Sequence, residues 1–152
     1  MVRDPCAALG QSMPHASALI TVMVAAARKA ARGLLRDFGE LAGVQTAKKG
    51  MADFVSTADH NAEAALYQEL SKARPKYSLL MEERGEMKGS DDSNRWIVDP
   101  LDGTTNFLHG LPHFAISICL ERDRVPHAGV IFNPVTNELS TPRAHHRCEP
   151  RS

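Results

Sequence analysis

Cysteine is scarce and scattered. Cys6, Cys119 and Cys148 stand far apart with no CxxC pair. That spacing argues against a zinc site and against a disulfide framework, and it agrees with a reducing compartment. An excess of charge of either sign is also missing. Lys and Arg total 18, Asp and Glu total 18, and the formal net charge is zero. The basic residues are dispersed rather than gathered into a patch, which argues against nucleic acid as a partner. No apolar run approaches the roughly 18 residues that a membrane span needs. The N-terminus, MVRDPCAALGQSMPHA, has no apolar signal core and no clean cleavage site. The chain therefore reads as cytoplasmic, with no membrane partner. It has no internal repeat and no low-complexity tract.

The 152 residues suffice for one ordinary domain with a buried core. Residues 1–16 read as a disordered leader, because Pro5, Gly10 and Pro14 interrupt any regular element. From Ser17, a plausible N-cap, to about Glu40 the pattern is helical. Leu19, Ile20, Met23, Ala27, Ala30, Leu34 and Phe38 form its apolar stripe, with Arg28, Lys29, Arg32 and Arg36 largely off it. Residues 53–57 suit a short extended piece. A second helix is expected from about Ala58 to Lys72, on the stripe Ala62, Leu66 and Leu70, ended by Pro75. Residues 77–81, 95–98, 114–120 and 128–132 read as strands, and residues 85–94 as a loop. Two helices followed by strands predict an α+β domain, with the helices packed on a mostly antiparallel sheet. Cys119 falls in an apolar strand and reads as a small buried hydrophobe.

The chemically informative stretch is WIVDPLDGTTNF at residues 96–107. A strand ends at Asp99, and Pro100 stiffens the turn after it. Asp102 follows three residues on, Gly103 lets the backbone approach a ligand, and Thr104-Thr105-Asn106 can open a helix whose free amides would attract an anion. Two carboxylates beside an anion site repel it and each other unless a hard divalent cation intervenes. An oxygen-only ligand set favours magnesium, calcium or manganese over zinc. On spacing alone the aspartates could equally cap a turn. Upstream, Glu82-Glu83 could be a solvated face. They could also serve as ligands if neighbouring strands deliver Glu82 and Asp99 to one edge of the sheet. His109, His113 and His127 lie in turns and at strand edges, where local hydrogen bonding accounts for them.

Three segments together, DFVSTADHNAE (residues 53–63), MEERGE (81–86) and WIVDPLDGTTNF, resemble the inositol monophosphatase family over residues 17–139. The resemblance implies the N-terminal half of a layered αβαβα sugar-phosphatase fold and a Mg2+-dependent hydrolase acting on a small-molecule phosphate monoester, foremost inositol 1-phosphate. Fructose bisphosphate, a nucleotide 3′-phosphate and histidinol phosphate are alternatives. Glu82, Asp99 and the carbonyl of Leu101 would hold one magnesium, and Asp99 and Asp102 would share a second. Glu82 could also reach a third, weaker ion. Thr104 would orient the attacking water with support from Asp59, and the amides of Gly103 and Thr104 would hold the substrate phosphate. Lys48 matches a lysine of the family's mobile loop. Attack would be in line by water, without a covalent phospho-enzyme, and full-length relatives would be homodimers.

Three departures stand out. Arg84 replaces a small serine and sets a cation beside the ion site. Met51 stands where a proline is common. Past Leu139 the text STPRAHHRCEPRS no longer matches, lacks strand periodicity and is expected to be a disordered tail outside the sheet. The family's later W-D-x-A-A-G-type segment is absent, so a frameshift or premature stop and an inactive, truncated chain are the corresponding expectations. A degenerate fragment without enzymatic function is the competing class.

Overall fold

A computed structural model describes residues 14–44 and 50–142 of the chain. Lys48, residues 1–13 of the expected leader and residues 143–152 of the expected tail lie outside the described residues. Helix α1 spans Pro14–Val44 and α2 spans Met51–Ala73. Six strands follow: β1 Ser78–Met81, β2 Gly85–Met87, β3 Asn94–Asp102, β4 Ala115–Arg122, β5 Val125–Asn133 and β6 Glu138–Ser140. A short helix, α3 (Thr104–Leu108), lies between β3 and β4. The strands form one sheet in the order β2-β1-β3-β4-β5-β6. Every neighbouring pair is antiparallel except β1 and β3, which run parallel. This is the α+β arrangement read from the sequence.

The core lies between the two helices and one face of the sheet. Met23, Ala27 and Leu34 of α1 and Ala62, Leu66 and Leu70 of α2 bury the expected stripes. They meet Trp96 and Val98 of β3, Ile116, Ile118 and Leu120 of β4, and Val130 and Phe132 of β5, all buried. Full burial of each large aliphatic side chain contributes about 1.5–3 kcal/mol. The small residues Ala26, Ala27, Ala30 and Ala31, all buried, line the α1 side of this interface.

Several boundaries differ from the sequence reading. Helix α1 starts at Pro14, three residues before Ser17, so Ser17 lies inside the helix rather than capping it. Residues 53–57 are helical, not extended, and α2 begins at Met51 rather than near Ala58. Two contacts stabilise that first turn: Val55 is buried, and the Thr57 hydroxyl donates to the Asp53 carbonyl at 2.9 Å. Tertiary burial thus outweighs the β-branched preference of the segment. The helix ends at Ala73, with Arg74 pushed out of helical geometry ahead of Pro75. The expected loop at residues 85–94 contains β2, because Gly85, at φ 69°, reverses the chain and lets Met87 pair with Leu79. Cys119 is half-buried rather than fully buried, on the sheet face opposite the helices. Ser140, assigned to the tail, joins the sheet opposite Ile131.

Candidate active site

The parallel pairing of β1 with β3 creates the site. Met81 lies beside Val98, so the next residues, Glu82 just past β1 and Asp99 still within β3 and paired with Ser117, come to the same end of the parallel pair. An antiparallel pair would have sent them to opposite ends. Beyond Asp99 the β3–β4 register shifts, and the chain coils into a tight turn. The Leu101 amide donates to Asp99 Oδ1 at 3.2 Å, and the Thr104 hydroxyl donates to the Leu101 carbonyl at 3.2 Å. Gly103 is left-handed at φ 91° and ψ 40° and starts α3. The first intrahelical bond is Phe107 N–H to the Gly103 carbonyl at 3.0 Å, so the amides of the first turn point out of the helix without intrahelical acceptors.

The turn is held from below by aromatic packing. Phe107 and Phe114 meet edge to face at 5.0 Å, and Phe38 of α1 closes the cluster at 5.1 Å from Phe114 and 5.6 Å from Phe107. Asn106 Nδ2 also donates to the His113 carbonyl at 2.7 Å. Gly103 itself is packed too tightly for a side chain. A Cβ there would stand 2.9 Å from the His113 carbonyl oxygen and 3.3 Å from Phe114 Cα. Both the backbone angle and the space therefore require glycine. We expect Gly103→Ala to cost about 1–3 kcal/mol of stability. Chemical denaturation would show this as a lower midpoint at unchanged m-value.

Acidity concentrates at this edge. Asp59, on α2, is only 8% exposed, and one of its carboxylate oxygens, Oδ1, is buried without a hydrogen-bond partner among the described residues. Burial, then the nearby charges of Glu82, Glu83, Asp99 and Glu63, push its pKa up to about 6. Glu82 is raised by desolvation first, then by Asp99, Glu83 and Glu63. Asp99 is raised by burial, opposed by the Leu101 amide and reinforced by Asp102. Each carboxylate thus works against its neighbours' ionisation, the situation that a bound cation relieves. The donors are all oxygens, and a buried carboxylate oxygen without a partner points to the same deficit. Oxygen donors are the chemistry that a hard divalent ion prefers.

The structure brings Glu82, Asp99, Leu101, Asp102, Gly103 and Thr104 to one edge, with Asp59 within electrostatic reach on α2. Among the described residues, no group of three or more His, Cys, Asp or Glu is close enough to form a ready-made ion cage. The Thr104 hydroxyl is bonded to Leu101 and not to Asp59. His127 lies at 3.3 Å from Arg122, in the local role expected of it. One residue went unrecognised in the sequence: Glu63, 1% exposed, accepts the Glu83 amide at 3.1 Å and pairs with Arg84 at 3.4 Å. The available signal was its helical spacing. Asp59 and Glu63 are polar positions on the buried face that also carries Val55, Ala62 and Leu66.

A two-helix layer on a mixed sheet, with an acidic edge beside a glycine-hinged turn, defines an α+β protein. Residues 15–150 match the model of the inositol monophosphatase family, which carries the match past Leu139 and beyond the 17–139 span read from the motifs, and the chain belongs to that family. It is 61% identical over 125 residues to an inositol-1-monophosphatase of Mesorhizobium japonicum, covering 82% of this chain and 47% of that protein. It is 38% identical over 123 residues to the Nus factor SuhB of Escherichia coli, covering 81% and 46% respectively. The crystal structure of the extragenic suppressor protein suhB from Bartonella henselae superposes with a TM-score of 0.73 at 53% identity, covering 83% of this chain and 48% of that one. The chain spans about half the length of the curated relatives it matches.

Proposed function

We propose that this chain carries the ion- and phosphate-binding part of a magnesium-dependent phosphate monoester hydrolase, with inositol 1-phosphate as the leading substrate. The observation that carries the reading is the parallel β1–β3 pair, which places Glu82 and Asp99 at one sheet edge beside the Gly103 turn. Glu82, Asp99, the Leu101 carbonyl and Asp102 would hold magnesium. When bound, magnesium neutralises charge on phosphoryl oxygens and lowers the pKa of a coordinated water.

The remaining work falls to the chain's own groups. The amides of Gly103 and Thr104, at the start of α3, would be offered to a phosphate oxygen. The Thr104 hydroxyl, already donating to Leu101, keeps lone pairs that can accept from a water and so orient it. Asp59 lies close enough to Glu82 and Asp99 to hold the local potential negative, which favours the cation. The competing demands of anion and carboxylates are met only with the cation between them.

The chain spans about half the length of those relatives, and the 152 residues alone are proposed to bind Mg2+ and phosphate with little turnover. Phosphate release from inositol 1-phosphate, fructose 1,6-bisphosphate, a nucleotide 3′-phosphate and histidinol phosphate, each with and without millimolar Mg2+, tests the substrate assignment. Calorimetric titration of the folded chain with Mg2+ and inorganic phosphate tests the binding assignment separately. Absence of heat and of thermal stabilisation in both titrations would overturn the reading.

A further inference from the structure

Behind the acidic edge lies a charged group that ion and phosphate binding leave unused. Glu63 is almost fully buried on α2, facing the turn that carries Glu82. One of its oxygens accepts the Glu83 amide at 3.1 Å, and the other pairs with Arg84 Nε at 3.4 Å. The Arg84 guanidinium lies over the Tyr67 ring at 4.6 Å, still on α2. Arg84 is thus bound on two sides by one helix. The negative charge of Glu63 is felt at both Asp59 and Glu82, so Glu63 reaches the edge electrostatically, and its partner Arg84 follows directly on Glu83.

We propose that Glu63 and Arg84 are positioning residues that act as one neutral clamp. The buried Glu63 anchors the Glu82-Glu83 turn to α2 through the Glu83 amide, and it cancels the Arg84 cation that would otherwise oppose ion binding at the edge. This inference rests on the reading of that edge as a divalent-ion site.

The physical logic is that the Arg84 cation is harmless to ion binding while Glu63 pairs with it and harmful once that partner is lost. A glutamine at 63 has the same shape and can still accept the Glu83 amide, so the anchor survives. Arg84 then keeps its charge and its place over Tyr67 but loses its counter-ion, and the edge gains an uncompensated cation. Removing the Arg84 charge as well restores neutrality. Arg84 is 41% exposed, so solvent screens part of this effect. We expect Glu63→Gln to weaken binding roughly three- to tenfold, a scale set by about a kcal/mol of screened Coulomb energy.

The test is a double-mutant cycle on the full 152-residue chain, read as Mn2+ affinity from the electron paramagnetic resonance signal of free Mn2+, with thermal midpoints recorded alongside. Glu63→Gln should weaken Mn2+ binding, Arg84→Met alone should not weaken it, and the double variant should return to within about twofold of wild type. A purely structural role for Glu63 would produce no such recovery. Binding by Glu63→Gln equal to wild type, or a loss that persists in the double variant, overturns the clamp. Should Glu63→Gln alone fail to fold, the double variant leaves no buried charge unpaired. It must then fold and bind within twofold of wild type for the proposal to stand. The parent reading fails differently: wild type then binds no Mn2+, or binds it equally well after Asp99→Asn, and the clamp falls with it.

Discussion

Replacing Asp99 by Asn in the 152-residue chain is expected to lower Mg2+ and Mn2+ affinity at least about a hundredfold, close to 3 kcal/mol of binding free energy. Asp99 stands in β3, three residues before its end and beside the Glu82 exit from β1, and it is fixed there by the Leu101 amide. The family resemblance would have it shared by the first and second ions, so neutralising it would remove charge from both. Asparagine still accepts the Leu101 amide, and the turn should persist, which separates loss of charge from loss of fold. Asp59→Asn, at a residue that supports the edge from α2, should cost ion affinity considerably less. Calorimetric titration of the two variants beside wild type decides the matter. Equal losses would show that the bridging role has been given to the wrong carboxylate.

In the absence of a divalent ion, Asp59→Asn is expected to stabilise the fold. The Asp59 pKa rises from the ordinary 3.8 to about 6 through burial and the charges of Glu82, Glu83, Asp99 and Glu63. A raised carboxylate pKa means that the folded state holds its proton more tightly than the unfolded chain. No penalty exists below the unfolded value. The penalty grows as pH rises through the window between the two and is complete above the folded value. Two pH units correspond to about 3 kcal/mol at neutral pH. For a chain of this size that is roughly a 5–10 °C rise in melting temperature for the variant at pH 7.5. At pH 4 the wild type and the variant should melt together. Saturating Mg2+ should raise the wild type more than Asp59→Asn, because the cation relieves a repulsion the variant no longer has. A variant that melts lower than wild type at pH 7.5 without metal would show that the carboxylate is stabilising as it stands.

The Gly103→Ala and Glu63→Gln experiments bear on different parts of the same construction. The first perturbs the backbone that exposes the amides proposed to hold phosphate. The second leaves the backbone alone and alters only the field. A loss of phosphate binding in Gly103→Ala with Mn2+ binding retained would separate the anion subsite from the ion subsite.

Much of this protein was legible in its sequence, because short-range patterns carry local structure. The stripes of Leu19, Met23 and Leu34 and of Ala62, Leu66 and Leu70 marked two helices, and both are buried as expected. The run from Trp96 to Phe107 announced a strand, a carboxylate turn and a helix start, because proline, aspartate and glycine each restrict the backbone in recognisable ways. Family membership was equally readable, since that run is long and chemically constrained. Tertiary packing settled the rest. Whether residues 53–57 are helical depends on Val55 finding a buried place, which no local preference encodes. The parallel pairing of β1 with β3 depends on the chain passing through β2 and back before β3 begins, and only that topology sets Glu82 beside Asp99. Arg84 read as a stray cation beside an ion site, yet folding brings it against Glu63, 21 positions earlier by the numbering, and over Tyr67. The amino-acid order determines which groups exist and what each can do locally. Their meeting is a matter of long-range contacts, whose energies depend on burial and distance and so exist only once the chain has folded.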